Sequence, residues 1–295
     1  MDDQNKNLIL ATALSFVVIL VWFVLFPPPE PAAPTDEIAL TAPVSTGVTA
    51  PKVADAKVAV ETQAEADAQA PRVAIDTDRL TGSVSLKGGR IDDLSLKDYR
   101  VSIEPDAEIV KVLSPVGSPS AYYALYGWAP GTGMTLDDVP GANTIWAVEE
   151  GETLRPDTPI TLAWTNAKGM VFRRTLSVDD NYMFSVTQSV ENNSEATASM
   201  APYGILARHG TGEDADLPDL KNFFILHEGV VSMTDGTLAE IDYSDVRDFE
   251  VDPNEGAQAE VYQIQKDGWI GFTDHYWMTT LIPEGGSSFK AAAKY

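Results

Sequence analysis

One run of residues limits what this chain can be: Leu8 to Phe26, nineteen positions without a charge or a proline, fourteen of them Leu, Ile, Val or Phe. As a helix it would be about 28 Å long, close to the ~30 Å hydrocarbon core of a bilayer. Its apolar residues circle the helix instead of forming a stripe, so no face is left for water. Each central Leu, Ile, Phe or Val favours insertion by roughly 0.3–0.6 kcal/mol. A buried core helix would need a domain around it, yet only seven residues precede this run and a proline-rich stretch follows. The run is therefore read as a transmembrane helix. Lys6 lies before it and no Lys or Arg follows until Lys52. Positive residues stay cytoplasmic, so residues 1–7 are expected inside and the rest exported. A cleaved signal peptide is the rival, with an apolar region of about 7–15 residues and a small-residue cleavage site. Pro27-Pro28-Pro29 occupies that place, and an uncleaved signal anchor is the expectation.

The chain carries 44 acidic and 20 basic residues, a net charge of −24. That balance works against nucleic acid and anionic lipid surfaces as partners of the exported part. Cysteine is absent, which excludes disulfides and a lipid-modified cysteine. Residues 27–71 hold eight prolines, seven acids, two lysines and no aromatic residue. Such a stretch buries too little apolar surface to offset its ordering entropy, so it reads as a disordered tether. Residues 72–295 are long enough for one large domain with a substantial core.

In that domain the apolar pattern has period two. Val84 and Leu86 alternate with polar neighbours, Gly88-Gly89 supplies a turn, and Ile91, Leu94 and Leu96 resume. The clearest unit is a three-strand meander. Ile160, Leu162 and Trp164 alternate with Thr161, Ala163 and Thr165 before the turn Asn166-Ala167-Lys168-Gly169. Phe172, Leu176 and Val178 share a face interrupted by Arg174, then Asp179-Asp180-Asn181 turns into Phe184, Val186 and Val190. One apolar and one polar face joined by short turns predicts antiparallel strands half-buried against another layer. Glu108–Leu113, Tyr122–Trp128, Thr144–Val148, Phe223–Leu226 and Gln258–Ile264 are further strand candidates. The expected fold is mainly β, a large antiparallel β-sandwich.

The stretch from Gly268 to Pro283 does not alternate. Trp269, Phe272 and Tyr276 fall at i, i+3 and i+7, and Trp277 and Leu281 at i and i+4, spacings that predict a helix of about three turns packed on the sandwich. Its aromatics fit ordinary core contacts; the functional alternative is a contact surface for a membrane-protein partner. Motifs for chemistry are scarce. His209, His227 and His275 are far apart, and no zinc spacing, nucleophile elbow, phosphate loop or dinucleotide fingerprint occurs. The acid pairs Asp137-Asp138 and Asp179-Asp180 neighbour turn formers and read as solvated loops. Asn192-Asn193-Ser194 fits a glycosylation acceptor and, more simply, a turn. Arg208-His209-Gly210 with Gly212-Glu213-Asp214 is the most site-like loop. No catalytic residue, metal or cofactor is expected, and no enzymatic activity.

Met1-Asp-Asp-Gln-Asn-Lys-Asn-Leu8 running into an apolar helix that contains Trp22 resembles the start of the YidC membrane protein insertase family of Gram-negative bacteria. Asp78-Arg-Leu-Thr-Gly-Ser-Val-Ser-Leu-Lys-Gly-Gly-Arg-Ile91 is similar to that family's entry into its periplasmic domain, and Gly268-Trp269 to Ile282-Pro283 to a later helix there. The resemblance implies a mutarotase-like, twisted β-sandwich at 72–295, an inner-membrane anchor at 8–26 and a tether at 27–71. It implies insertion, folding and assembly of inner-membrane proteins, alone or with the Sec translocon. The expected partners are inner-membrane lipid, nascent membrane proteins and translocon subunits. The family's working part is a later bundle of five helices around a groove arginine, which has no counterpart in this sequence. The chain is accordingly expected to be a fragment that stops inside its β-domain. The rival function is a membrane-anchored carbohydrate-binding or mutarotase-like module.

Overall fold

The computed structural model describes residues 70–118, 120–209, 227–274 and 276–295. The apolar run at 8–26, the tether up to residue 69, the strand candidate Phe223–Leu226, the segment Gly212-Glu213-Asp214 and His275 lie outside the described residues. Among the described residues, no helix is long and apolar enough to cross a membrane.

Eighteen strands are described. In order they are β1 (Arg72–Asp76), β2 (Leu80–Ser85), β3 (Arg90–Arg100), β4 (Ile109–Leu113), β5 (Tyr122–Pro130), β6 (Ala147–Glu150), β7 (Thr153–Leu154), β8 (Ile160–Thr165) and β9 (Met170–Val178). The chain continues through β10 (Phe184–Asn192), β11 (Met200–Arg208), β12 (Gly229–Thr234), β13 (Thr237–Asp242), β14 (Val251–Asp252), β15 (Ala257–Ile264), β16 (Gly268–Thr273), β17 (Met278–Leu281) and β18 (Phe289–Lys294). One short helix, α1 (Tyr243–Val246), follows β13.

Two sheets make the main sandwich. One runs β11-β5-β3-β2-β1-β7 with β4 beside β3, the other β10-β9-β8-β6. All their pairs are antiparallel except β1 with β7. The meander forms where its alternation places it, with Ile160 opposite Leu176 and Trp164 opposite Phe172. Asn166 closes its first turn, accepting from the Lys168 and Met170 amides, while Gly169 takes the positive φ of +80°. Asp179 closes the second, accepting from the Asn181 and Met183 amides. Inward residues of the two sheets meet in one core that includes Ile75, Val84, Leu154, Ile160, Leu162, Phe172 and Leu176. Pro202 lies in β11, at the end of its sheet path, where a missing amide is tolerated.

Arg174, the polar interruption on the apolar face of β9, is fully buried. Its guanidinium donates to the Gly88, Gly89 and Tyr126 carbonyls and lies 4.7 Å from the Trp146 ring centroid. It therefore ties the β2–β3 turn and β5 of one sheet to β9 of the other. Asp138, expected in a solvated loop, is buried. It accepts from the Thr135 amide and hydroxyl and from Lys168, capping a 3₁₀ turn at Leu136–Asp138.

Two further sheets follow, β13-β12-β16-β17 and β14-β15-β18. Between them Val230, Val246 and Ala293 form a smaller core with Ile241, Phe249, Ile270 and Phe272. Phe272 also packs against the main core, so β16 joins the two. Across β14–β15–β18 the buried Glu255 carboxylate accepts from Lys290 and Lys294. Burial pushes that carboxyl up, but the two lysine hydrogen bonds outweigh it and hold it below its ordinary value. Such a group contributes stability above its unfolded pKa and loses it as pH falls through the folded value. Urea midpoints should therefore fall below about pH 4.5. Glu255→Gln should shrink that acid limb while lowering the neutral-pH plateau by about 1–2 kcal/mol.

Candidate functional site

The stretch from 268 to 283 is a β-hairpin, not the helix its aromatic spacing predicts. Gly268 and Gly271 weaken a helix, while Ile270, Thr273, Thr279 and Thr280 favour strand. β16 also pairs with β12 along its whole length, contacts that a helix would forfeit. In a strand, residues three apart lie on opposite faces, so the expected aromatic stripe is split. Phe272 and Leu281 turn inward. Phe272 lies 6.1 Å from the Tyr122 ring and 5.9 Å from that of Tyr243. A side chain at Gly204 would meet Leu281. Tyr276 and Trp277 occupy the turn, closed by the Asp274 amide donating to the Trp277 carbonyl. Trp277 sets its ring edge-on to Tyr99 at 4.8 Å.

Trp269 faces the other way, and register shows what accompanies it. Leu238, Met233 and Trp269 are direct cross-strand partners on β13, β12 and β16. The next row on that face is Glu240, Val231, Gly271 and Thr280, and the third is Asp242, Gly229, Thr273 and Met278. Leu238 is 51% exposed, Met278 56% and Tyr276 75%. This outer face thus offers apolar surface beside carboxylates, and none of its three rows contains a lysine or arginine.

Two hollows flank it. One, of about 780 Å³, lies between the Asp235-Gly236 turn and the segment 265–268, with Met233 and Trp269 in its wall. Asp235 shapes it, accepting from the Gln265, Lys266 and Asp267 amides, which hold its carboxyl below the usual range. The second, a notch of about 320 Å³, is lined by His227, Glu240, Thr273, Asp274, Tyr276, Trp277 and Met278.

Behind the notch is a charged cluster. Arg208 binds Asp274 and lies 4.9 Å and 5.3 Å from the Tyr122 and Tyr243 ring centroids. Burial pushes the Tyr122 phenol up to about 12 and raises that of Tyr243 as well, so both stay protonated. Both ring nitrogens of His227 face acceptors at 3.0 Å, the Asp242 carboxylate and the Val230 carbonyl. His209 stacks on Tyr123. No contact joins the two histidines, and the described residues contain no group of three His, Cys, Asp or Glu placed to hold a metal. Asn192 forms a turn, accepting from Ser194.

The outer face was partly legible. Leu238, Glu240 and Asp242 alternate with Ala239 and Ile241, a period-two signal for a strand. Nothing local ties Arg208 to Asp274, sixty-six residues apart.

Comparison with known proteins agrees with this architecture. The family model of the YidC periplasmic domain matches residues 72–295. The membrane protein insertase YidC of Ruegeria pomeroyi is 67% identical over the whole of this chain, and the chain covers 49% of that protein. Those of Dinoroseobacter shibae and Roseobacter denitrificans are 58% and 57% identical, again over the whole chain and 49% of each relative. The chain spans about half the length of the curated relatives it matches.

Proposed function

The chain belongs to the YidC membrane protein insertase family, and on that premise we propose that it anchors and spaces the periplasmic domain of an inner-membrane insertase. Residues 8–26 would be the first membrane helix with its N-terminus in the cytoplasm. Residues 27–71 would be the tether, and 72–295 the periplasmic β-sandwich. The whole protein would assist insertion, folding and assembly of inner-membrane proteins, alone or with the Sec translocon. That role is non-enzymatic, since it lowers the cost of moving polar segments through lipid. The observation that carries the reading is the similarity to insertases along the whole of this chain, together with the match of residues 72–295 to the family's periplasmic domain.

In the hairpin, exposed Tyr276 with half-buried Trp269 and Trp277 would serve as a partner-contact surface, with Phe272 and Leu281 as its inward support. Reconstitution supplies the test. Full-length protein in liposomes should make a short single-span client resistant to external protease, well above empty liposomes. Equal protection in both would remove the insertase reading. A photo-crosslinker at Tyr276, in cells, should join a translocon subunit or a nascent chain if the hairpin is the contact surface.

A further inference from the structure

Glu240 stands out on the outer face of β13-β12-β16-β17. It is exposed and lines the notch with Tyr276, Trp277 and Met278, and its carboxylate has no hydrogen-bond or ion-pair partner among the described residues. Its acidic neighbours are engaged: Asp274 by Arg208, Asp242 by His227. Among the described residues, the charged or titratable groups facing the notch are Glu240, Asp274 and His227, with Asp242 and Arg208 at its margin, and the Arg208 guanidinium is already held by a carboxylate.

We propose that this notch receives a single basic side chain, lysine or arginine, from an extended or amphipathic segment of a partner protein, whose apolar residues lie along the row Leu238–Met233–Trp269. The inference deepens the docking role above and rests on it. Three physical points favour that occupant. Apolar side chains more than half exposed on a sheet face mark a surface that gains by being covered. A purely apolar cover would bury the Glu240 carboxylate without a partner, which is costly; a cation removes that cost with a charge-assisted bond. Aromatic rings beside a carboxylate suit a cation further, and the alkyl stem of Lys or Arg packs on Met278 and Trp277. A second copy of this face would set Glu240 against the same three rows, which hold Glu240 and Asp242 and no lysine or arginine, and an anionic lipid surface would be repelled by it.

The test uses full-length protein in nanodiscs of neutral lipid and a labelled peptide with one central arginine flanked by leucines at alternate positions. Versions carrying glutamate or norleucine at the centre are measured beside it by fluorescence anisotropy. The arginine peptide should bind about tenfold more tightly than the glutamate one, with norleucine between. Glu240→Gln should weaken the arginine peptide about three- to tenfold, and Glu240→Lys should invert the preference. Because Glu240 is exposed, these variants keep the thermal midpoint of the parent, which is measured alongside. Equal binding of the three peptides, a preference untouched by Glu240→Lys, or no binding at all would overturn the proposal. Client insertion is read on the same preparations. Insertion without a charge preference removes the notch and leaves the insertase reading; failure of the unmodified protein to insert removes that reading instead.

Discussion

Arg174→Met should lower the stability of the domain by about 3 kcal/mol and its thermal midpoint by roughly 10 °C. The residue is fully buried on the apolar face of β9 and has no carboxylate partner among the described residues. Two effects oppose each other. Burial disfavours the charge and pushes the guanidinium down to about 10, so removing it relieves a penalty on the order of 3 kcal/mol. Against that, the Gly88, Gly89 and Tyr126 carbonyls lose their donor at about 1–3 kcal/mol each. The contact with the Trp146 face, about 2 kcal/mol when desolvated, goes too. The losses exceed the relief. Arg174→Lys should fall between, because a single ammonium cannot fork to three carbonyls. The folded value near 10 keeps the group charged at neutrality, so this loss should be flat with pH between about 6 and 8, unlike the acid limb at Glu255. A variant as stable as the parent in chemical denaturation would mean that the carbonyls find other donors.

Gly271→Val should cost about 3 kcal/mol and act on the second pair of sheets. A Cβ at Gly271 would lie 2.1 Å from the Thr279 carbonyl oxygen and 2.7 Å from the Thr280 Cα, so β16 and β17 must separate to admit any side chain. The neighbour Phe272 belongs to both cores, and the displacement therefore reaches beyond the hairpin. Hydrogen exchange should show amides of β12, β16 and β17 losing protection while those of β8 and β9 keep it. Uniform loss across both regions would mean that the domain unfolds only as one unit.

Local sequence pattern carries some of these features and not others. The meander from Ile160 to Val190 was readable because alternation, β-branched residues and Asn, Asp and Gly turns act within a few residues of each other. The Gly88-Gly89 turn was readable for the same reason. Arg174 showed only as an interruption, since the three carbonyls it satisfies lie forty-eight to eighty-six residues away. Ala291, Ala292 and Ala293 have high helix propensity, yet they form β18, because pairing with β15 places Ala291 and Ala293 inside. Tertiary burial there outweighs a few tenths of a kcal/mol of local preference per residue.

The hairpin at 268–283 marks the same boundary at the candidate site. Its aromatic residues were recognisable as one set, and their spacing fitted a helix. Pairing with β12 made them strand, turned Phe272 and Leu281 inward and left Trp269 outward beside Met233 and Leu238. By itself the sequence determined a β-rich acidic domain, its turns and its family, because those depend on local pattern and on the order of residues. Only the tertiary structure decided which aromatics reach solvent, that Asp274 is held by Arg208, and that the Glu240 carboxylate lies beside Trp277 with no partner among the described residues. Those are properties of strands brought side by side from distant parts of the chain, where period-two alternation assigns each side chain to one face or the other.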